Sequence, residues 1–520
     1  MSSRLLAIGL DGFEISIAER LMADGRMPNL SRLRERSARF RLNHGPAKYS
    51  GLAWEHVSTG RTPESLDRHS AVTFDPETYD VRQEPTRETP VFAKMKSRTV
   101  LFDVPYCDLQ RAANLQGLAQ WGAHDPGAPR SCNPPSLADE IAARFGPYPA
   151  ADYIYAMVWH SAEQTARAGA ALAAAVRVRA QAAEWVLRTR IPDWELAVVV
   201  VSEPHSALEP LWHGVDPRHP LHLLPSGPVA RQCLETVYVE TDALIGRLCE
   251  SFPDASIAVF AMHGMGDNGA DVPTMVLLPE LLYRRAFGRP WMREIAWSAV
   301  LPDGTPLLAE EETWNNTMEA RIPPLWSDAV KEAQAESARQ ALPIAHAGID
   351  WQPASRYRPF WPWMEAFAMP SFYDGRVRLN LKGRERLGSV TPDRYRPLLD
   401  EIRALLEECM DPITSKPVVA GFSESPKSPL DVGPTESDLY IYWEGLPLGF
   451  RHPELGRIGP VPFRRPGGHS GRFGFLYCVH PSLPVGDLGE ASSFDVMPTL
   501  AAILREAAPA AQMSGKSLLP

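Results

Sequence analysis

The sequence lacks three features that would assign it to common classes of protein. It contains no apolar run of 18 residues, the length that a membrane-spanning helix needs, so no membrane association is predicted. Its six cysteines include no Cys-x-x-Cys pair, which argues against a zinc knuckle and a disulfide framework. Basic residues are too few for a nucleic-acid partner, because 53 Lys and Arg face 63 Asp and Glu, a formal net charge of -10.

The composition that is present fits a large globular chain. Hydrophobic residues make up 44% and charged residues 22% of the 520 residues, which is enough for a large core. The first predicted strand begins at about residue 4 and leaves no room for a signal peptide, so we expect a cytoplasmic protein. The 50 prolines are spread along the chain, which predicts long loops rather than a low-complexity tract.

A buried apolar run near the start of the chain, Leu5–Leu10, ends on Asp11 and Gly12. Such a run is typical of a central strand, and it would carry Asp11 to the carboxyl edge of a sheet, where open α/β folds bind ligands. Two further apolar runs, Glu195–Val201 and Ser256–Ala261, predict strands that are buried on both faces. Polar residues follow each strand, so the pattern predicts an α/β fold with a doubly wound, mostly parallel sheet and one functional edge.

Between residues 289 and 370 the periodic pattern fades, and tryptophan and proline dominate. We interpret 289–370 as a cap inserted over the functional edge. The α/β core is then predicted over 1–288 and 371–520, with short strands resuming after the cap at Arg376–Leu379 and Asp438–Tyr442.

Several polar residues expected at this edge are of types that bind metals or anions. His205 and Glu209 are four residues apart, so on a helix they share one face and can bind one ion, or else make a surface contact. His263 directly follows a predicted strand, and His469 lies in a glycine-rich segment. Ser50 lies where a Gly/Pro-rich loop enters a helix, a position that suits anion binding or a simple helix cap.

Taken in order, these motifs resemble those of the alkaline phosphatase superfamily, in particular its type I phosphodiesterase/nucleotide pyrophosphatase branch. The matching stretches extend over almost the whole chain and are Ile8–Gly12, Met27–Leu30, Ser50–Trp54, Thr59–Gly60, Val215–Pro217, His219–Pro220, His263–Gly264, Leu379–Glu385 and His469. The resemblance implies an alkaline phosphatase-like fold, a small-molecule ester as substrate and two divalent ions, usually zinc. It also implies that Ser50 is the nucleophile, that Asp11 and His263 ligate the ion on the nucleophile side, and that His469 ligates the other ion.

Three matched positions depart from the family pattern. Where the family has Asp and, four residues on, His, this chain has His205 and Glu209, so the types of ligand and their charge are preserved. Together with His469 they form a two-His-one-carboxylate set, which also suits iron or manganese. Where the family has Asp before the last His-Gly, this chain has Met262, a poor ligand for zinc or magnesium. We therefore expect one or two ions, depending on whether Asp267 substitutes for the missing carboxylate.

The departures leave more than one function open. The leading interpretation is a metal-dependent phosphoesterase, phosphodiesterase or phosphoryl-type transferase that acts through Ser50. The alternatives are a repurposed mononuclear metal enzyme, with iron as a candidate, and a degenerate member that binds a phosphorylated metabolite without turnover. Sulfatase chemistry is not predicted, because the Cys/Ser-x-Pro-x-Arg pattern that matures to formylglycine is missing around Ser50.

Overall fold

The structure, a computed structural model, describes residues 4–86, 88–123, 129–294, 296–297, 299–309, 312–336, 348–506 and 511–520. Parts of the predicted cap, among them 337–347, lie outside the described residues.

The described chain alternates strands and helices, as the sequence pattern predicts. The strands, in chain order, are β1 (Leu5–Leu10), β2 (Ala38–Asn43), β3 (Val72–Phe74), β4 (Val81–Gln83), β5 (Thr99–Phe102), β6 (Leu115–Ala119), β7 (Ser131–Asn133), β8 (Leu196–Val201), β9 (Ser256–Ala261), β10 (Gly266–Asp267), β11 (Ala299–Val300), β12 (Pro306–Leu307), β13 (Ala366–Ala368), β14 (Gly375–Leu379), β15 (Val419–Glu424), β16 (Leu439–Trp443), β17 (Phe450–His452), β18 (Gly456–Ile458), β19 (Gly467–Gly468), β20 (Phe473–Val479) and β21 (Gly486–Ser492). The α-helices are α1 (Ile15–Ala23), α2 (Pro28–Glu35), α3 (Ala53–Thr59), α4 (Pro63–Leu66), α5 (Leu137–Phe145), α6 (Ala162–Trp185), α7 (Glu203–Leu211), α8 (Ser226–Ser251), α9 (Leu278–Phe287), α10 (Trp314–Arg321), α11 (Asp328–Glu336), α12 (Pro392–Glu407) and α13 (Val496–Ile503). None of the described helices combines the length and the apolar character needed to cross a membrane.

The largest sheet has nine strands in the order β21-β2-β20-β9-β1-β8-β5-β6-β7, with β1 at its centre. The five neighbouring strands from β9 to β6 are parallel, while β20 and β7 run antiparallel to them. All six residues of β1 and all six of β8 are buried, because central parallel strands are covered on both faces. The predicted fold class, an α/β fold with a mostly parallel sheet, is confirmed.

The chain divides into two compact units. The first comprises 1–66, 85–267 and 466–520 and contains the nine-stranded sheet. The second comprises 67–84 and 268–465.

The second unit contains its own four-stranded antiparallel sheet, in the order β13-β14-β16-β15. The strands predicted at Arg376–Leu379 and Asp438–Tyr442 form in this sheet rather than in the nine-stranded one, because a strand pattern does not identify the partner strand. The predicted cap, 289–370, lies within the second unit, and so does 371–465, which the sequence pattern had assigned to the core. The position of 289–370 over the functional edge stays a prediction.

A fully buried ion network fixes the start of α7, the helix that follows β8. Arg179 on α6 donates from Nε to both carboxylate oxygens of Glu203, each at 2.9 Å. Its Nη1 donates to Asp103 Oδ2 at 2.8 Å and to the carbonyl oxygen of Val200 at 2.9 Å. Because one partner lost from such a buried network leaves an uncompensated charge, the network holds α7 firmly against the sheet.

Candidate metal centre

The strand register brings the polar loops of the first unit to one edge of the nine-stranded sheet. Gly9 on β1 pairs with Val200 on β8 and with Phe260 on β9, so these three strands end side by side. β20 is antiparallel to β9, and β2 pairs Asn43 with Phe473 at the start of β20. The carboxyl ends of β1, β2, β8 and β9 and the amino end of β20 therefore share the edge at which such folds bind ligands.

Helix α7 carries two of the predicted site residues. It begins directly after β8, and all nine of its residues are buried. His205 Nε2 lies 3.3 Å from Glu209 Oε1, so the two side chains share one face of the helix. Gly12 makes room for this arrangement, because its φ is +54° and a Cβ atom there would lie only 2.7 Å from the Cβ of His205.

His469 reaches the same point from the glycine-rich segment. Gly467 and Gly468 form β19, which pairs with β10. A side chain on Gly467 would collide with the carbonyl oxygen of Leu208 on α7, so only glycine allows the segment to approach the helix this closely. As a result, His469 Nε2 lies 2.9 Å from His205 Nε2.

His205, Glu209 and His469, here called the ligand triad, form a group of possible metal ligands. One ligand atom from each lies within 4.8 Å of the others, and the three residues are only 5%, 2% and 9% exposed. Zn–N bonds of about 2.0–2.1 Å place two ligand nitrogens roughly 3 Å apart. The spacing of 2.9 Å between the two Nε2 atoms therefore fits one shared ion.

The surrounding hydrogen bonds fix which ring nitrogens carry protons. His263 Nδ1 lies 3.0 Å from the carbonyl oxygen of Gly264, which only accepts, so Nδ1 donates. Burial lowers the pKa of His263 to about 4, so the ring is neutral and its Nε2 accepts. That Nε2 lies 3.3 Å from His469 Nδ1, which therefore donates and leaves a lone pair on His469 Nε2. His205 Nδ1 likewise lies 3.0 Å from Asp11 Oδ2 and donates to it.

This pattern aims the lone pairs of the ligand triad at one another, and such an arrangement requires a cation. Burial opposes a charge on His205, but the carboxylates of Asp11 and Glu209 outweigh it and raise the pKa of His205 to about 10. In the metal-free protein the cation is thus a proton on His205. A divalent ion bound by the three residues would replace that proton, so the triad fits a metal ion.

Asp11 and His263 contact the rings of the triad. Asp11 Oδ2 accepts from His205, and its Oδ1 accepts from Trp54 Nε1 at 2.8 Å. Histidines that bind metals usually donate their other ring N–H to such a partner, which orients the ring. Asp11 and His263 are therefore placed to orient His205 and His469, and their implied role as ligands of a second ion stays a prediction.

Ser50 ends a short 3-10 turn, Gly45–Ser50, just before α3. Its hydroxyl donates to the carbonyl oxygen of Ala47 at 2.7 Å and accepts from the backbone N–H of Leu52 at 3.1 Å. Both bonds are local, and the residue is 5% exposed. The structure places Ser50 at the predicted loop-to-helix position, and its role as nucleophile stays a prediction.

Met262 and Asp267 are the two residues on which the prediction of a second ion depends, and neither belongs to the ligand triad. Met262 directly follows β9 and is 5% exposed. Asp267 accepts a hydrogen bond from Trp212 Nε1 at 2.7 Å, and burial raises the pKa of this carboxyl group. Asp267 belongs to neither of the two groups of possible ligands that occur among the described residues.

The other group lies in the second unit and comprises Asp67, His69 and Glu436. Lys427 Nζ lies 2.6 Å from Asp67 Oδ1 and 2.7 Å from Glu436 Oε2. A lysine ammonium thus already supplies the positive charge in this set, here called the lysine-filled group.

Sequence reasoning missed several residues at the functional edge. His44 Nε2 lies 3.1 Å from His56 Nδ1, and His44 Nδ1 contacts the hydroxyl of Ser493. Burial, together with the proximity of His56, His263 and the ammonium of Lys48, keeps the pKa of His44 well below its usual range. The one signal in the sequence was that His44, Lys48 and His56 flank Ser50 closely.

No protein-family model matches the sequence, and no curated protein sequence matches it. Solved structures of phosphonoacetate hydrolase from Sinorhizobium meliloti 1021, in complex with phosphonoformate and with phosphonoacetate, match with a TM-score of 0.50 and 13% identity. These matches cover 98% of this chain and 96% of that chain. Human ectonucleotide pyrophosphatase/phosphodiesterase 5 is a weaker likeness, with a TM-score of 0.45 and 9% identity over 96% of this chain and 95% of that chain.

The fold is alkaline phosphatase-like, as the resemblance in the sequence implied. Within that class it is the fold of phosphonoacetate hydrolase, matched over nearly the whole length of both chains. At 13% identity this likeness establishes the fold, and what the chain does must be argued from its own residues.

Proposed function

We propose that this protein is a hydrolase that acts on a small-molecule phosphoryl compound, a phosphoric ester or a phosphonate, with one divalent ion in the ligand triad. The observation that carries this proposal is the convergence of three buried acceptor atoms, from His205, Glu209 and His469, at the ligand-binding edge of this fold. The solved structures of phosphonoacetate hydrolase, which share the fold, support the choice of a phosphoryl substrate.

The donor set favours zinc, with manganese or iron as alternatives. A divalent ion bound there would supply Lewis-acid activation of a phosphoryl oxygen. Asp11 and His263 would hold the ligand rings in the orientation that directs both Nε2 atoms inward. The burial of the triad keeps bulk water from competing for the same atoms.

Ser50 is the candidate nucleophile. Its loop follows β2, which ends at the same edge as β1 and β9, and its position matches the nucleophile of the family that the sequence resembles. Attack on phosphorus would form a bond from Oγ to phosphorus and expel the leaving group. The hydroxyl proton, now donated to the carbonyl oxygen of Ala47, would leave with the departing group, and water would then cleave the bond from Oγ to phosphorus, which releases the phosphoryl product and restores Ser50.

The same donor set supports a second candidate function. Two imidazoles and one carboxylate also form the facial site of mononuclear iron oxygenases. A protein with that activity would retain iron and require oxygen. A degenerate member of the fold, by contrast, would bind a phosphorylated metabolite without turnover.

Hydrolysis of an activated aryl phosphodiester and of an aryl phosphonate tests the proposal. Chelator-treated protein should be inactive and should regain activity when one equivalent of zinc or manganese is added. Ser50→Ala should lower kcat by more than about a hundredfold at unchanged metal content. Ser58→Ala is the matched control, because Ser58 is a buried serine on α3 that also bonds a local carbonyl oxygen, at 3.1 Å. Full activity in Ser50→Ala, or activity only with iron and oxygen, would reject this proposal.

A further inference from the structure

The side chain of Lys48 lies at the functional edge, two residues before Ser50. Its Nζ lies 3.3 Å from the carbonyl oxygen of Ser470 and 3.3 Å from that of Gly471. Ser470 directly follows the ligand His469. The ammonium group is therefore bound to the same segment that carries one ligand of the triad.

The charge of Lys48 is half-buried and is not balanced by an acid. Among the residues that the structure describes, no carboxylate bonds to Lys48, whose other close contact is with the ring of Tyr49, 5.0 Å from Nζ. The charged and titratable groups that it faces are the guanidinium of Arg472 and the imidazoles of His44 and His263. An imidazole is either neutral or positively charged, so neither ring offers a negative charge. A half-buried ammonium without a paired anion is energetically unfavourable. Binding of an anionic ligand next to Lys48 would therefore be favourable.

Compared with the family that the sequence resembles, the same part of the site lacks a negative charge. The family resemblance implies an aspartate at the position of Met262, next to His263, where it would help to hold a second metal ion. Here the carboxylate is replaced by a thioether, and an ammonium group is close enough to lower the pKa of His263. Both changes shift the local electrostatic balance away from a second cation and towards an anion.

We propose that Lys48 binds an anionic oxygen of the phosphoryl substrate and so takes the place of a second metal ion. This inference rests on the proposed function, because it assumes a phosphoryl ligand at this edge. Lys48 contributes binding and positioning, since a charge-assisted hydrogen bond to a phosphoryl oxygen is among the stronger polar contacts in proteins. The protein would thus use one ion, in the triad, and one fixed ammonium.

Binding of inorganic phosphate, measured by calorimetry at low ionic strength, tests this inference. Wild type, Lys48→Met and Lys48→Arg are compared, each metal-free and loaded with zinc, and Lys96→Met serves as the control because Lys96 is an exposed lysine of the same unit. Lys48→Met should weaken phosphate binding about tenfold or more at unchanged zinc content. Lys48→Arg should retain most of the affinity, and Lys96→Met all of it.

Measuring phosphate binding both without and with zinc distinguishes a failure of this inference from a failure of the proposed function. A wild-type protein that binds no zinc would reject the single-ion hydrolase, yet loss of phosphate affinity in metal-free Lys48→Met would still support the role of Lys48. Equal phosphate affinity in wild type and Lys48→Met in both states would overturn the inference. So would a wild-type protein that binds no phosphate in either state.

Discussion

Two groups of histidine and carboxylate side chains in this protein have similar compositions but differ in the cation that balances them. In the lysine-filled group, the ammonium of Lys427 bonds to both Asp67 and Glu436. In the ligand triad, the balancing charge is a proton on His205, whose pKa is raised to about 10 by Asp11 and Glu209 against the effect of burial.

The difference teaches that composition alone does not identify a metal site. A proton can leave to solvent when a metal ion arrives, so the triad exchanges one cation for another. Burial opposes the charge of Lys427, but hydrogen bonds to Asp67 and Glu436 outweigh it and raise the pKa of Lys427 above its usual range. An ion entering the lysine-filled group would therefore have to displace an ammonium that holds its proton and is attached to the chain. The triad is therefore the group that we expect to bind metal.

The largest expected effect is on metal affinity when a member of the triad is removed. Glu209→Ala should weaken zinc binding by more than about a hundredfold, because it deletes a direct ligand and the negative charge. Asp67→Asn, in the lysine-filled group, should leave zinc affinity unchanged. Competition with a chromophoric chelator measures both. Equal zinc affinity in Glu209→Ala and wild type would show that the triad is not the metal site.

A smaller effect is expected from the residue that orients His205. Asp11→Asn should weaken zinc binding by about 10–100-fold, because the charged partner of Nδ1 is lost while the three ligands remain. Trp54→Phe removes only the hydrogen bond to Asp11 Oδ1 and should cost less. If Asp11→Asn instead lowered the stoichiometry from two ions to one, Asp11 would be a direct ligand of a second ion.

The pH dependence should differ between the metal-free and metal-bound protein. The pKa of His205 is raised from 6.5 to about 10, so its protonation stabilises the metal-free fold fully below about pH 6.5. As the pH rises above 6.5 this stabilisation should decrease, and it should be lost as the pH passes about 10. Between these two pH values the affinity for zinc should increase about tenfold per pH unit, because zinc binding releases the proton. Denaturant unfolding and zinc titration at pH 7, 8 and 9 measure both quantities. A metal affinity independent of pH would contradict the assignment of the proton to His205.

The smallest expected effect is a gain of binding in the lysine-filled group. Lys427→Met leaves Asp67, His69 and Glu436 without the ammonium, so the variant should acquire one additional, weak divalent-ion site. Lys427→Arg keeps the positive charge and should acquire none. If zinc titration of Lys427→Met shows no added site at millimolar concentration, removal of the ammonium is not enough to create a metal site in this group.

The central strands of the fold could be predicted from the sequence because apolar runs specify them locally. The predicted strands Leu5–Leu10 and Ser256–Ala261 have the same bounds in the structure, and Glu195–Val201 differs by one residue. The grouping of strands into sheets could not be predicted in the same way. The sequence pattern assigned two strands, Arg376–Leu379 and Asp438–Tyr442, to the core. They lie in a separate sheet, because sheet membership depends on partner strands that are distant in sequence.

The candidate site was predictable to the extent that short-range spacing determines it. The proximity of His205 and Glu209 follows from one helical turn. The contacts of Asp11 with Trp54 and of His263 with His469 join residues that are far apart in sequence and form only when the chain has folded. For this reason the spacing in the sequence did not reveal that Asp11 and His263 lie against the rings of the triad.

Zinc titration of the chelator-treated wild-type protein by calorimetry tests the central claim most directly. We predict one tight ion per chain, with the binding lost in His469→Ala, because the ligand triad is the one of the two possible ligand groups among the described residues in which a proton, and not a lysine, balances the charge. Two tight ions per chain would contradict this account, since Asp11 and His263 would then have to act as ligands of the second ion.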